Sequence, residues 1–329
     1  MKVSELKDYL SKGVVMVVQI TPFAIDESLD LAALKDNTIF LIEQTKHDQL
    51  ALIPLGSTGE FYAVNFEEYK KIVDTVVDAS NGKVPVIVGS AQAGTKLTIE
   101  YAKYAQDAGA DGVQIVLPYY SIPSEEGLFL HYKKICEAID IGVVIYNNPD
   151  ASKIYMKPHI LRRLIEECDN IVAIKENTPF IPTLYKHVIV SGNKVPVYQG
   201  RGEWWYAATA LLGVKGFVSS YANFMPKICL DLLEAGRQCN ISKLKEYMEL
   251  LRPLDEFIGY IGEKYGPSTT IMPYPYSQDN LYISVVKASM NILGLGGGFS
   301  RLPLINLMQE DIEKLKDILF NKLKLKKYE

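Results

Sequence analysis

The stretch that decides the fold is residues 142–178, GVVIYNNPDASKIYMKPHILRRLIEECDNIVAIKENT. It begins and ends with a short apolar run, and residues 157–167 between them have the apolar spacing of an amphipathic helix. Nearly continuous apolar runs are typical of strands buried on both faces of a parallel sheet. A helical crossover returns the chain to the same edge, so the second strand runs parallel to the first. We therefore predict a strand–helix–strand unit here.

The same alternation extends over most of the chain. Further helix-like segments cover residues 65–79, 97–108 and 125–139. Eight strand-like runs alternating with helices favour an α/β fold of the (β/α)8 TIM-barrel type. A doubly wound sheet is the alternative, and the lack of a GxGxxG motif after the first strand weakens a dinucleotide-binding form of it. The eight runs are residues 14–23, 50–60, 84–91, 112–120, 142–149, 171–178, 195–202 and 216–223.

The pattern changes after residue 223, where helix-like segments follow one another without strands. Residues 266–280 carry three prolines and are predicted to form a loop. We predict two parts, residues 1–240 as a barrel with an N-terminal helix and residues 241–329 as a C-terminal helical extension. The helix-like segments are residues 226–236, 242–262, 281–293 and 309–325.

Composition and charge exclude several classes of protein. The 329 residues are 48% hydrophobic and 22% charged, which argues against disorder, collagen and coiled coil. A net charge of −4 provides no basic face for nucleic acid. The chain has no apolar run long enough to span a bilayer, its first 13 residues have no apolar signal core, and its basic end (residues 323–329) is typical of a solvated helix end. We expect a cytoplasmic protein without nucleic-acid or membrane partners.

The cysteine pattern predicts neither disulfides nor a metal site. Cys136, Cys168, Cys229 and Cys239 show no CxxC motif and no Cys/His ligand spacing. Cys136 and Cys168 lie in helix-like segments, where a reduced, packed thiol is expected.

Lys175 is the first candidate for chemistry, because barrel active sites lie at the carboxyl ends of the strands. It follows four apolar residues in a strand expected to be buried, and lysine is rarely buried without a partner or a function. Burial favours the neutral amine, which is the form that attacks a ketone. The alternative is a structural lysine paired with Glu176 or another carboxylate.

Tyr146 ends the preceding strand, and a phenol beside an amine nucleophile can relay protons. The alternative is a tyrosine whose hydroxyl simply meets water. Residues 56–60, GSTGE, follow the second strand, where Gly56, Ser57 and Thr58 are suited to holding a carboxylate. A plain turn explains them nearly as well. Tyr119 and Tyr120 follow the fourth strand, and adjacent loop aromatics are usually packing or interface residues.

These motifs together resemble the dihydrodipicolinate synthase/N-acetylneuraminate lyase family. The likeness covers the whole barrel, including TPF at residues 21–23. EEGLFLHYKKICEAIDIGVVIYN, SSYANFMPK and VKASMNILG look most similar to the 5-dehydro-4-deoxyglucarate dehydratase branch of that family. The four motifs that carry the resemblance are GSTGE (56–60), PYY (118–120), YNxP (146–149) and IKE (174–176).

The resemblance implies a class I lyase that needs no metal or organic cofactor. In that case Lys175 forms an imine with the C2 carbonyl of a 2-keto acid, and Tyr146 relays protons. Ser57 and Thr58 hold the carboxylate, and Ser57 passes protons to Tyr146. Tyr120 matches a tyrosine that family members often lend to a neighbouring subunit, so a homo-oligomer, a dimer or tetramer, is expected.

The end of the seventh strand lies where the lyases of this family contact the polyol tail of their substrates. Arg201 suits an additional carboxylate or phosphate, because its planar fork binds oxyanions through two bonds. Glu203 and Gln199 suit hydroxyls, and Gly200 and Ser219 complete the substrate-binding candidates. The alternative is that Arg201 and Glu203 pair with each other at the surface.

Departures from the family pattern bear on the reaction. Dihydrodipicolinate synthases usually carry an arginine five residues after the strand-five tyrosine, and here that position is Ala151, with Lys153 or Arg201 as possible substitutes. Residues 148–150, NPD, also differ from the dehydratase branch. We expect a dehydratase or aldolase of a 2-keto-3-deoxy sugar acid. The alternatives are pyruvate–aldehyde condensation of the 4-hydroxy-tetrahydrodipicolinate synthase type, retro-aldol cleavage of the N-acetylneuraminate lyase type, and a non-catalytic binding barrel.

Overall fold

The strands form one closed parallel barrel. The computed structural model describes residues 1–45, 49–267 and 280–328, and in these residues eight strands lie in the order β2-β1-β8-β7-β6-β5-β4-β3. A parallel bridge between Leu52 and Val86 joins β2 to β3. The predicted (β/α)8 barrel is therefore confirmed. Strands β1 to β8 are Val15–Val18, Leu50–Ile53, Ile87–Gly89, Gly112–Val116, Gly142–Asn147, Ile171–Glu176, Val197–Gln199 and Gly216–Ser219.

Helices fill the connections and continue beyond the last strand. The loop predicted for residues 266–280 lies outside the described residues except for 266, 267 and 280. Helices α1 to α10 are Val3–Ser11, Leu31–Gln44, Phe66–Ser80, Thr95–Asp107, Glu125–Ala138, Pro149–Ser152, Pro158–Glu167, Ile181–Ser191, Gly202–Thr209 and Pro226–Arg237. Helices α11 to α13 are Ile241–Tyr265, Tyr282–Ile292 and Gln309–Asp317.

The last predicted helix, residues 309–325, is not α-helical throughout. The α-helix ends at Asp317, and a π-helical turn covers Ile318–Lys322. There the amide of Leu323 donates to the carbonyl of Ile318 at 2.9 Å, one residue further along than in an α-helix. Leu319 and Leu323 are both buried.

The two faces of the barrel strands pack against different apolar sets, as the continuous apolar runs predict. Inside the barrel, Met16, Ile53 and Val172 belong to a cluster that also contains Leu6 and Leu10 of α1. The N-terminal helix therefore plugs the end of the barrel where the strands begin. This leaves the opposite end, where the strands finish, open for a site.

The C-terminal extension packs on its own barrel. Leu251 of α11, Val286 of α12 and Leu315 of α13 belong to the same outer cluster as the barrel helices. In α12, Lys287 is buried in an ion pair with Glu60 of the GSTGE segment, and its Nζ also donates to the carbonyl of Phe299 at 2.6 Å. The boundary at residue 240 stays a prediction.

Replacing Lys287 by methionine is expected to destabilise the fold by about 3–5 kcal/mol, because Glu60 is then left as an unpaired charge in the interior. Denaturant unfolding of the variant measures this change. The matched control is Lys316→Met, which breaks an exposed pair with Glu313 and should change stability little. Equal stability of the two variants would contradict the structural role of the buried pair.

Two further observations concern the cysteines and membrane-spanning helices. Cys136, Cys168 and Cys229 are buried and Cys239 is exposed, and all four are free thiols. No helix in the described ranges has both the length and the apolar character needed to cross a membrane.

Candidate active site

Lys175 and Tyr146 lie side by side on β6 and β5, where they are direct partners in the strand register. The Nζ of Lys175 is 3.7 Å from the centroid of the Tyr146 ring. Lys175 is only 3% exposed, and this burial lowers the pKa of its amine to about 7. A substantial fraction of Lys175 is therefore a neutral amine near neutral pH.

Glu176 is not the partner of Lys175. Successive residues of a strand point to opposite faces, so Glu176 faces away from the barrel interior. There Glu176 pairs with Nδ1 of His187, and both its carboxylate oxygens accept from Asn147 Nδ2 at 2.9 Å. The structural alternative for Lys175, a pair with Glu176, is thus wrong.

The hydroxyl groups near Lys175 contact neighbouring polar side chains. Tyr146 accepts from Nδ2 of Asn148 at 2.9 Å, and the side chain of Ser57 interacts with its hydroxyl and opposes the rise of its pKa. The hydroxyl of Thr58 lies 2.9 Å from that of Tyr282. Burial raises the pKa of Tyr146, and the nearby phenol of Tyr282 adds to the effect. Tyr146 is therefore protonated at neutral pH and can donate a proton.

These groups face a cavity of about 830 Å³ at the carboxyl ends of the strands. Its size and its mixture of polar and aromatic side chains fit a small organic substrate. Eight of the residues singled out from the sequence line this cavity, namely Ser57, Thr58, Tyr146, Lys175, Gly200, Arg201, Glu203 and Ser219.

Gly56 and Tyr120 are not among the cavity-lining residues. A Cβ on residue 56 would lie 2.6 Å from Cγ1 of Val18, so close packing already requires glycine there. The side chain of Tyr120 is 84% exposed. Contact of either residue with substrate stays a prediction.

Arg201 is paired, but with Asp150 and not with Glu203. Its Nη1 donates to Asp150 Oδ2 at 2.6 Å and to the carbonyl of Asn177 at 2.8 Å. The alternative, a surface pair of Arg201 and Glu203, is therefore wrong, because α6, which follows β5, supplies a carboxylate that the sequence order does not reveal. The charge of Arg201 is largely compensated before any substrate binds. Lys153, the other suggested substitute for the missing arginine, is exposed.

Glu203 and Ser219 form one buried wall of the cavity. The Ser219 hydroxyl donates to Oε1 of Glu203, and Cys229 Sγ lies 3.5 Å from the same oxygen. Burial raises the pKa of Glu203 to about 7. Gln199, by contrast, is turned away and bonds Thr209 at 3.2 Å, so its expected role toward substrate hydroxyls is wrong.

The sequence reasoning missed several residues that line the cavity. Asn177 lies only two residues beyond Lys175 and directly follows the end of β6. That strand-end position is the sequence signal that could have identified it. Asp255 and Ile258 come from α11, and Tyr282 comes from α12. Nothing in their local sequence indicates that the extension folds back over the barrel mouth. The aromatic residues missed are Trp204, Trp205 and Tyr221.

Metal ligands are not assembled in the described ranges. Residues 1–45, 49–267 and 280–328 contain no group of three or more His, Cys, Asp or Glu side chains placed to hold a metal ion.

Comparison with known sequences identifies relatives over nearly the full chain. The profile of the family described as Dihydrodipicolinate synthetase family matches residues 11–264. A relative from Methanothrix thermoacetophila, named 4-hydroxy-tetrahydrodipicolinate synthase, is 34% identical over 301 residues, covering 91% of this chain and 93% of the relative. The resemblance seen in the four motifs is confirmed.

Solved structures give the same result. Dihydrodipicolinate synthase from Thermotoga maritima has a TM-score of 0.81 and 29% identity, covering 95% of this chain and 99% of that chain. YagE from E. coli K12, described as a prophage protein of the dihydrodipicolinic acid synthase family in complex with pyruvate, has a TM-score of 0.82 and 26% identity, covering 95% and 99%. These names agree better with the condensation alternative than with the dehydratase that the sequence favoured.

Proposed function

The chain belongs to the dihydrodipicolinate synthetase family of aldolase-type lyases, and we propose that Lys175 forms an imine with the C2 carbonyl of pyruvate. The observation that carries this proposal is the buried amine of Lys175, with a pKa of about 7, set over the ring of Tyr146. A lysine that is neutral near pH 7 attacks a ketone without first losing a proton. The relative crystallised with pyruvate supports the choice of 2-keto acid.

The proposed reaction consists of imine formation, enamine formation, condensation and hydrolysis. The neutral amine of Lys175 adds to C2, and Tyr146 donates the proton with which the former carbonyl oxygen leaves as water. The resulting iminium draws electrons from the C3–H bond, and the Tyr146 phenolate takes that proton to give an enamine. The enamine carbon then attacks the carbonyl carbon of an aldehyde, and the aldehyde oxygen takes the proton that Tyr146 removed from C3. Water hydrolyses the new iminium and frees Lys175.

The carboxylate of pyruvate is held by hydroxyl groups. Ser57 and Thr58 lie on the cavity wall that carries Tyr146, whereas Arg201 is already engaged by Asp150. Hydrogen bonds to a charged acceptor are stronger than those between neutral groups. Ser57 also bonds Tyr146, so it links the carboxylate site to the proton relay.

We propose condensation of pyruvate with an aldehyde as the main reaction, in line with the names of the relatives. Cleavage of a 2-keto-3-deoxy sugar acid is the second candidate. It is favoured by Ala151 in place of the aldehyde-binding arginine and by the polar wall of Glu203 and Ser219, which suits hydroxyl groups.

One experiment separates the two candidates. Purified protein is incubated with pyruvate and aspartate semialdehyde, and separately with a 2-keto-3-deoxy sugar acid, with Lys175→Met as the control. Consumption of the semialdehyde with pyruvate supports condensation. Release of pyruvate from the sugar acid, with no use of the semialdehyde, would assign the second candidate. Turnover of neither class would contradict the proposed function.

Imine formation is expected to depend on pH through Lys175. Below the pKa of about 7 the ammonium form predominates, and the neutral fraction falls about tenfold per pH unit. The rate of pyruvate trapping by cyanoborohydride should therefore rise up to about pH 7 and then level off. A rate that continues to rise in step with hydroxide concentration up to about pH 9 would indicate an ordinary lysine instead.

We also propose that no organic cofactor takes part and that Tyr120 contacts a second copy of the chain. The imine of Lys175 is itself the electron sink that a cofactor would otherwise supply. Tyr120 and its neighbour Ile122 are both exposed, as interface residues are in a separated subunit. Analytical ultracentrifugation tests this point, and a monomer at all concentrations would contradict it.

A further inference from the structure

Helix α12 of the C-terminal extension carries a phenol into the cavity. Tyr282 is the first residue of this helix, it lines the cavity with Lys175 and Tyr146, and its hydroxyl lies 2.9 Å from that of Thr58. The proposed reaction steps of Lys175 and Tyr146 do not involve Tyr282. In the described part of the chain, the hydroxyl of Tyr282 makes a hydrogen bond to Thr58 alone, one of the two proposed carboxylate-binding hydroxyls.

A separate buried contact fixes this geometry. Two residues after Thr58, Glu60 is paired with Lys287, which lies on α12 five residues after Tyr282. The backbone amide of Arg301 also donates to Oε2 of Glu60, at 3.1 Å. Two contacts therefore join the GSTGE segment to α12, namely Thr58–Tyr282 and Glu60–Lys287. The ion pair holds Tyr282 in position next to Thr58.

The direction of the hydrogen bond follows from the chemistry of the two hydroxyls. A phenol is a stronger donor than an aliphatic alcohol, because its proton is far more acidic. Burial raises the pKa of Tyr282, and this effect and the charge of Glu60 outweigh the opposing contribution of Thr58, so the phenol keeps its proton at neutral pH. Tyr282 is therefore the better donor of the two hydroxyls. The proton of the Thr58 hydroxyl is then left to point elsewhere, and no other described residue accepts it.

We propose that Tyr282 is a positioning residue for the carboxylate of the 2-keto acid, acting through Thr58. By donating to Thr58 Oγ1, it orients the threonine O–H toward the cavity, where that group donates to the carboxylate. This inference rests on the proposed function, since it assumes that a 2-keto acid binds beside Lys175. In this proposal the C-terminal extension contributes to substrate affinity, in addition to the residues of the barrel motifs.

The expected effect is on affinity and not on chemistry. Tyr282→Phe keeps the ring and removes the donor, and loss of one such hydrogen bond should raise the half-saturating pyruvate concentration about 3- to 10-fold. The maximal rate of borohydride trapping at saturating pyruvate should stay unchanged, since Lys175 and Tyr146 are untouched. A merely structural disturbance of the site would lower that maximal rate as well.

The test is a double-mutant cycle read by trapping. Thr58→Val, Tyr282→Phe and the double variant are compared with the wild-type protein, and Tyr282→Phe should have no further effect once Thr58 is replaced. Tyr328→Phe is the matched control, because this tyrosine of the extension bonds the carbonyl of Phe224 at 2.9 Å and does not line the cavity. It should leave half-saturation unchanged.

The outcomes are distinguishable. If the wild-type protein is not trapped at all, the proposed function fails and this inference fails with it. If the wild-type protein is trapped and Tyr282→Phe shows the same half-saturation, the inference alone is overturned. Additive effects of the two substitutions would also overturn it, since they would mean that Tyr282 does not act through Thr58. If Tyr282→Phe folds poorly, Tyr282→Leu, which also removes the donor, replaces it in the same cycle.

Discussion

Lys175→Met should reduce turnover by about 10⁴-fold or more, the scale observed when a covalent nucleophile is removed. Methionine fills a similar volume but cannot form an imine, so no electron sink is created next to C3. Turnover is measured with saturating pyruvate and aldehyde. Activity within tenfold of the wild-type protein would contradict the role of Lys175.

The stability of the same variant separates lost chemistry from lost folding. The amine of Lys175 carries a desolvation cost, as its pKa of about 7 shows, and the described residues supply no ion pair for it. Methionine removes that cost, so the variant should unfold at the same or a higher temperature than the wild-type protein. Lys175→Arg is a useful companion, because it keeps a cation at this position but cannot form the imine.

Tyr146→Phe should lower turnover by about 10²-fold or more, the usual contribution of general acid–base catalysis. The phenol is the group placed against Lys175 and Ser57, so proton transfer at C2 and C3 slows when it is removed. Trapping of pyruvate by borohydride should remain possible, because the amine is retained. The measurement is steady-state turnover beside the trapped fraction at long incubation.

A buried tyrosine outside the cavity provides the control for Tyr146. Tyr132 is fully buried and donates to the carbonyl of Ile115 at 2.8 Å, on the helix side of the sheet. Tyr132→Phe should leave turnover nearly unchanged, although it removes a buried hydrogen bond. Unchanged turnover in Tyr146→Phe as well would disprove the relay.

The barrel could be predicted because its signals are local. Each strand is a short apolar run, and residues 142–178 alone contain a complete strand–helix–strand unit. Strand-end positions then place Lys175 and Tyr146 at the same end of adjacent strands, and the register confirms that they are partners. Helix α3 shows the same locality, because Asn65 and Glu68 cap each other at its start, at 2.9 and 3.1 Å.

The remaining parts of the site depend on contacts between distant residues. Arg201 is compensated by Asp150 from another strand end, 51 residues away, and the two residues have no common motif. Tyr282 reaches Thr58 across 224 residues, and only the packing of the extension brings them together. Neither contact leaves a periodic or compositional trace in the sequence. Glu60 of the GSTGE motif is buried in an ion pair with Lys287, 227 residues away, and does not line the cavity.

Charge placement bears on how the carboxylate of the keto acid is bound. An acidic protein that binds an anionic keto acid was expected to gather positive charge at Lys175 and Arg201. Burial lowers the pKa of Lys175 to about 7, and Arg201 is paired with Asp150. Under the proposed function, hydroxyl groups contribute much of the recognition of the carboxylate, and the proposed role of Tyr282 is to support Thr58 in that binding.

The most direct test of the central claim is to trap the imine and locate it. The protein is incubated with pyruvate and borohydride, digested, and examined by mass spectrometry, with Lys287 as an internal comparison because it is also a buried lysine with a lowered pKa. We predict that the mass of one reduced pyruvate appears on the peptide containing Lys175, and not on the peptide containing Lys287. No adduct on Lys175, or an equal adduct on both lysines, would contradict the account.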